Sequence, residues 1–281
     1  MKIITTNQEL IHSIGDERLL GRSIGFVPTM GALHQGHLDL IRASLDRNCY
    51  TVCSIFVNPT QFNDPKDLEK YPRTLSSDSE MLLKAGCNLL YAPDVTEIYP
   101  KVAITPPSFD MMGMDRVMEG KFRPGHFDGV VQVVYRLLDL VKPDQLFMGL
   151  KDYQQQAIIG RMILALNLPV FLVSVETTRE ADGLAMSSRN ARLTPEWRAK
   201  APVIYETLHA IKIDILAGKN IDHVEAFYFS KLTKLGFRME YLDSCNPYTL
   251  QPIHKFKEKA VVCIALWAGE VRLIDNILIM A

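Results

Sequence analysis

The chain has 281 residues, 48% of them apolar and 22% charged, with a formal net charge of -1. That is the composition of a globular protein with ample material for a core, in one large domain or two smaller ones. The near-neutral balance excludes a global field that would draw the chain onto nucleic acid or an anionic membrane, while a local basic pocket stays open.

The five cysteines, Cys49, Cys53, Cys87, Cys245 and Cys263, are odd in number and lack CxxC spacing. Most sit in apolar runs such as AVVCIALW, as buried reduced thiols of a cytoplasmic protein do. The opening MKIITTNQELIHSIGDE has no signal-peptide apolar stretch. No apolar run reaches the roughly 20 residues that span a bilayer. The expectation is a cytoplasmic protein.

Residues 24–29 (IGFVPT) predict a short strand, and Leu38, Ile41 and Leu45 mark a helix over 37–48. The run 50–57 (YTVCSIFV) is almost wholly apolar, as in a parallel strand buried on both faces. A helix over 75–86, ended by Gly86, leads to a strand at 88–92. Then come a helix over 129–141, a strand at 145–148, a helix over 153–166 and a strand at 170–175. Strands alternating with helices imply an open parallel α/β sheet, with binding residues at the carboxyl ends of its strands. After residue 176 the pattern changes. A polar stretch, TTREADGLAMSSRNARL, precedes helices over 195–216 and 221–235. Strands at 237–243, 260–267 and 270–277 follow, the last two joined by a hairpin at Ala268-Gly269. The reading is a small C-terminal α+β unit, with the boundary near 176–190.

Five segments can carry chemistry. In PTMGALHQGH, Gly31 lets the backbone turn after the strand, and the helix that follows offers its N-terminal amides to phosphate. His34 and His37, three apart, can share one side of that turn and stabilise charge on a departing pyrophosphate. The spacing is neither HExxH nor a Walker P-loop. In VNPTQF, Asn58 and Gln61 are neutral, directional groups suited to a small polar substrate, or Asn58-Pro59 is simply a turn. In GKFRPGHFDGV, Lys121, Arg123 and His126 either meet an anion or form a solvated basic loop. MGLKDYQQQ repeats the strand-to-helix geometry: Gly149 allows close approach and Lys151 can bind phosphate. In the same segment Asp152 either contacts a ribose or caps the helix, and Gln155 faces the site or solvent. AMSSRN, with Ser187, Ser188 and Arg189, is a loop that closes on a triphosphate or an ordinary linker.

Together these segments resemble the pantoate-beta-alanine ligase family of HxGH nucleotidylyltransferases. FVPTMGALHQGH, FVNPTQF, YPRT, FRPGHFDGV, GLKDYQQ and READGLAMSSRN occur in order over nearly the whole chain. AMSSR also resembles the KMSKS loop of class I aminoacyl-tRNA synthetases. The resemblance implies a Rossmann-like doubly wound parallel sheet over 1–176, binding ATP and pantoate. Residues 177–281 would then be a smaller α+β lid, hinged near 176–190. It implies two steps: pantoate attacks ATP to give pantoyl adenylate and pyrophosphate, and β-alanine then displaces AMP. Magnesium would accompany ATP, and the chain would form a homodimer that binds neither nucleic acid nor membrane.

Carried over to this sequence, the ATP site would comprise Met30, Gly31, Ala32, Leu33, His34, Gln35, Gly36, His37, Gly149, Leu150, Lys151, Asp152, Thr178, Met186, Ser187, Ser188 and Arg189. His37 takes the proton-donor role, His34 positions ATP, and Lys151 and Arg189 hold phosphates. Gln61 and Gln155, with Asn58, Pro28, Thr29, Met30, His126 and Arg123, would serve pantoate and β-alanine. Two departures stand out. Leu150 replaces a common Glu, and Ser77-Asp78 replaces two adjacent carboxylates. Asp78 is then the one protein ligand expected for magnesium, which ATP oxygens would mainly hold. The rival readings are a nucleotidylyltransferase that makes a dinucleotide or a CDP-alcohol, and a non-catalytic nucleotide sensor.

Overall fold

A computed structural model describes residues 1–62, 68–69, 71–100 and 106–281. The chain divides into two compact units. The first comprises Met1–Met111, Arg123–Leu150 and Ile158–Glu176; the second comprises Met112–Phe122, Lys151–Ala157 and Thr177–Ala281.

The first unit is built on six parallel strands: β1 (Lys2–Ile4), β2 (Ile24–Thr29), β3 (Tyr50–Ile55), β4 (Leu89–Tyr91), β5 (Gln145–Gly149) and β6 (Phe171–Val175). Their order is β1-β4-β3-β2-β5-β6. β2 and β3 are buried along most of their length, which is why they read as apolar runs rather than alternating ones. Helix α2 (Gln35–Leu45) packs on β2, β3 and β5. With α3 (Leu75–Lys84) it covers a core of Val27, Leu40, Ile41, Cys53, Leu82, Leu90 and Phe147. Residues 95–98 form a single helical turn, α4 (Val95–Ile98).

Strand order runs outward from β2 in both directions, so β2 and β5 flank the topological switch point of the sheet. Their pairing covers only Gly25 and Phe26 of β2, so Pro28 needs no amide toward β5. The carboxyl ends of the two strands part there, and the HQGH turn and Gly149 follow at those ends.

In the second unit, β7 (Arg238–Cys245), β8 (Lys259–Ala268) and β9 (Val271–Met280) form an antiparallel sheet in that order. Gly269 and Glu270 make the two-residue hairpin between β8 and β9. This unit also carries α5 (Met118–Phe122), α8 (Pro195–Lys200), α9 (Val203–Leu216) and α10 (Ile221–Lys234). Leu208, Ile211, Val224 and Leu232 of α9 and α10 share a core with Val262, Ile264 and Leu273 of the sheet. Helices α6 (His126–Val141) and α7 (Tyr153–Ala165) complete the set; α6 lies in the first unit, and α7 begins in the second and continues in the first.

The structure departs from the sequence reading over 195–216 and adds elements at the N-terminus that the reading did not include. The single helix expected over 195–216 is two, because Pro202 has no amide to continue the ladder. The N-terminal strand β1 and α1 (Asn7–Leu19) lacked a periodic signal. Only Leu10, Ser13 and Ile14 of α1 are buried, and its start is set by Thr6, whose hydroxyl accepts from the Glu9 amide.

Candidate active site

At the end of β2, Gly31 turns the chain at φ 84° and Ala32 follows at φ 50°, a conformation unusual for a residue with a side chain. The buried Asp78 carboxylate holds this turn. It accepts from the Ala32 and Leu33 amides, each at 2.9 Å, and from the Thr74 hydroxyl at 3.0 Å. An acid expected to meet magnesium therefore spends both oxygens on the loop that opens the site.

His34 is the N-cap of α2, and its Nδ1 accepts from the Gly36 amide at 3.2 Å. His37 Nδ1 accepts from the His34 amide, also at 3.2 Å, so the two side chains form a reciprocal capping box. The rings lie 4.2 Å apart between centroids. Each Nδ1 is an acceptor, so the neutral ring carries its proton on Nε2. Both histidines are thereby oriented as Nε2 donors at a helix N-terminus, where phosphate is favoured.

At the end of β3, residues Pro59–Gln61 form a 3-10 turn. Asn58 is buried beneath it and bonded within the protein at both ends of its amide. Its Nδ2 donates to Gln61 Oε1 and to the Gly129 carbonyl, both at 3.1 Å. Its Oδ1 accepts from the Tyr99 hydroxyl at 2.7 Å and from Thr60. Burial raises the Tyr99 hydroxyl above its ordinary range, so it remains a donor at physiological pH. Gln61 Oε1 accepts from Asn58, which fixes the orientation of the Gln61 amide, and its nitrogen lies 2.9 Å from Met30 Sδ. His126 Nδ1 donates to the Gln61 carbonyl at 2.9 Å, and Arg123 donates to the same oxygen at 3.5 Å. The first unit thus brings together Thr29 through His37, Asn58, Gln61, Arg123, His126 and Gly149-Leu150.

The second unit holds the remaining expected residues. Lys151 and Asp152 close a 3-10 turn (Leu150–Asp152), with Lys151 Nζ 3.7 Å from Asp152 Oδ1. Gln155 is half-buried on α7. The polar stretch after residue 176 is an ordered hairpin: Arg179 bridges Ala185, and the Met186 amide donates to the Thr178 carbonyl at 3.0 Å. Ser187 caps the 3-10 helix Ser188–Arg192 by accepting from the Arg189 amide.

Residues 2–278 match the pantoate-beta-alanine ligase family. The chain belongs to that family. It is 45% identical to the pantothenate synthetase of Azobacteroides pseudotrichonymphae genomovar. CFP2 over 99% of both proteins. It is 42% identical to that of Bacteroides fragilis, over 99% of this chain and 98% of the relative. The crystal structure of a Thermus thermophilus pantothenate synthetase superposes with a TM-score of 0.91 at 41% identity, over 99% of both chains. A Francisella tularensis pantoate-beta-alanine ligase, crystallised with beta-gamma ATP and beta-alanine, gives 0.80 at 34% identity, over 99% of this chain and 97% of that one. This member of the ligase family is an enzyme that uses a nucleotide substrate.

Several buried residues that hold expected site residues or their neighbours in place carried no signal as chemistry. Gly129 of α6 lies against the Pro59–Gln61 turn so closely that a Cβ there would stand 2.4 Å from the Thr60 carbonyl oxygen. Gln154, buried beside Gln155, receives the Glu119 amide and donates to the Met114 and Val117 carbonyls. Asp275 and Asn276 interrupt the apolar strand VRLIDNILIM, and that interruption was their one visible mark.

Proposed function

We infer that this ligase condenses (R)-pantoate with β-alanine through a pantoyl adenylate. The observation that carries the reading is the capped HQGH turn at the switch point, beside a Gln61 amide whose orientation Asn58 fixes.

In the first step a pantoate carboxylate oxygen attacks the α-phosphorus of ATP, and the bond to the bridging oxygen breaks to release pyrophosphate. In the second, the β-alanine nitrogen attacks the acyl carbon, AMP leaves with the carboxylate oxygen, and the nitrogen loses a proton. AMP is a far better leaving group than oxide, so the protein supplies position and charge rather than a nucleophile. Residues 30–37, Gly149 through Asp152, Thr178 and Met186 through Arg189 surround ATP. His34 orients it and His37 donates from Nε2 toward the departing pyrophosphate; Lys151 and Arg189 balance the phosphate charge. Gln61 and Gln155 hold pantoate, with Pro28, Thr29 and Met30 beside it, and Arg123 and His126 support the Gln61 backbone.

Magnesium neutralises phosphate charge when it is bound. Among the described residues no three His, Cys, Asp or Glu side chains group as a metal site, and the Asp78 oxygens are engaged by the loop amides. The donor set does not make a protein-built site, so the ion is assigned to ATP oxygens. The C-terminal unit acts as a lid, hinged near residues 176–190. We read the ligase as a cytoplasmic homodimer. Five buried free thiols support a reducing compartment, and no helix among the described residues is long and apolar enough to cross a membrane.

Incubation with ATP, magnesium, D-pantoate and β-alanine should release AMP only when both acids are present. Pyrophosphate should appear with pantoate alone in a single turnover. AMP release that ignores either substrate would sink the reading.

A further inference from the structure

Two consecutive polar residues of β9, Asp275 and Asn276, are buried in the sheet of the second unit. Each reaches a different segment. The Asp275 carboxylate takes Arg179 in a two-pronged pair, Nη1 to Oδ2 at 2.7 Å and Nη2 to Oδ1 at 2.9 Å. Arg179 lies 3.6 Å over the Tyr205 ring and also donates to the Gly183 carbonyl, so it is held on three sides. It belongs to the 178–186 hairpin, whose Ala185 carbonyl accepts from Asn190 Nδ2 at 3.0 Å within the 3-10 helix that carries Arg189. Asn276 turns the other way, and its Nδ2 donates to the Lys151 carbonyl at 3.0 Å. Asp275 Oδ1 accepts from the Asn276 amide at 2.8 Å, and Arg179 Nη2 donates to the Asn276 carbonyl at 3.4 Å, which locks the pair into one unit.

We propose that Asp275 and Asn276 are positioning residues that key the Arg189 loop and the Lys151 turn to one point of β9. Neither touches substrate. The assignment rests on the reading of Lys151 and Arg189 as phosphate contacts. Two cations that bind one triphosphate must be set relative to each other within a fraction of an ångström, because misplacement of even one costs much of its effect. A bidentate Arg-carboxylate pair supplies directional rigidity that a single bond does not. The strand joins two segments that lie more than twenty residues apart in the chain.

The test uses the full chain with Asn276→Ala and Asp275→Asn, read by ATP and β-alanine KM, thermal midpoint, and hydrogen exchange of residues 151–156 and 178–190. Asn276→Ala should raise the ATP KM roughly five- to tenfold, the scale of one lost buried hydrogen bond. The β-alanine KM should stay within about twofold; a smaller folded fraction alone would lower the apparent kcat and leave both KM values unchanged. Asp275→Asn should speed exchange across 178–190 and leave the exchange of α10 unchanged. If Asp275→Asn does not fold, Arg179→Lys, which keeps the cation and removes the second parallel bond, carries the same expectation. A lowered thermal midpoint with unchanged ATP KM and unchanged loop exchange would overturn the assignment. Wild-type protein that makes no pantoate-dependent AMP would instead remove the ligase reading on which it rests.

Discussion

Replacing Gly129 by Ala separates the cost of misplacing Gln61 from the cost of destabilising the fold. The new Cβ would stand 2.4 Å from the Thr60 carbonyl oxygen, 2.6 Å from its carbon and 2.9 Å from the Gln61 Cα. All three are backbone atoms, so no side chain can swing away. Reaching an ordinary contact requires the Pro59–Gln61 turn and α6 to separate by about 1 Å, an overpacking strain of roughly 1–3 kcal/mol. Alanine in a helix returns about 0.5–1 kcal/mol over glycine. The net loss of stability is therefore about 0–2.5 kcal/mol. Catalysis has no such offset. The same displacement stretches the bonds from Asn58 to the Gly129 carbonyl and from His126 to the Gln61 carbonyl, which together fix Gln61. A shift of that size at a substrate-positioning group costs on the order of 10- to 100-fold. Steady-state kcat/KM for pantoate should fall by at least about tenfold while the urea midpoint falls by no more than that loss of stability accounts for. A variant with pantoate kcat/KM within about twofold of wild type would refute the claim that this contact sets the site.

Gly149 offers the opposite case: its Cβ would meet nothing within 4 Å, so Gly149→Ala should fold normally and raise the ATP KM if ATP approaches that backbone. A normal ATP KM would exclude the approach. His37→Ala or Lys151→Ala should slow pyrophosphate release in a single turnover by at least about 100-fold, the scale of a lost charge-stabilising donor. Near-normal rates would remove those roles. Asp78→Asn offers one acceptor oxygen where two amides donate, so it should destabilise the protein by about 1–3 kcal/mol. The magnesium concentration for half-maximal rate should stay unchanged, and a large increase would return Asp78 to the metal. Burial raises the carboxyl of Asp243 above its ordinary range. The folded form then binds its proton more tightly, so stability is fully present below the unfolded pKa of about 4 and is lost as pH rises through the folded value. Asp243→Asn should therefore gain on wild type in urea midpoints at neutral pH and lose that advantage below about pH 4. An equal gain at both pH values would contradict the cause assigned.

The parallel sheet was legible because its strands are buried on both faces, and burial writes itself into sequence as unbroken apolar runs. The switch point was legible only as a consequence of βαβ alternation. What could not be read were contacts between distant residues. Asn58 reads as a substrate ligand because it sits at a strand's carboxyl end. In the fold its amide is bonded to Gln61, and to Gly129 and Tyr99, which the sequence does not bring near it. Arg179 reads as part of a polar linker, although Asp275 orders it across 96 positions of chain. No periodicity encodes such pairs. A lone Asp-Asn within an apolar strand is the kind of trace they leave, since burying them without partners would be costly.

The two histidines show how local structure constrains mechanism. A helix start that used Ser or Asp would satisfy the same amides, so imidazole is not required for capping. What imidazole adds is a second nitrogen on the far side of the ring. Protonating Nδ1 would set an N–H against the Gly36 or His34 amide and cost the cap. The capping box therefore favours neutral rings that donate from Nε2, and a neutral donor cannot hand over its proton without becoming an imidazolate. This sharpens the role assigned to His37. In the proposed role it stabilises developing pyrophosphate charge through a hydrogen bond, and compensating positive charge is assigned to Lys151, Arg189 and the ion that would accompany ATP.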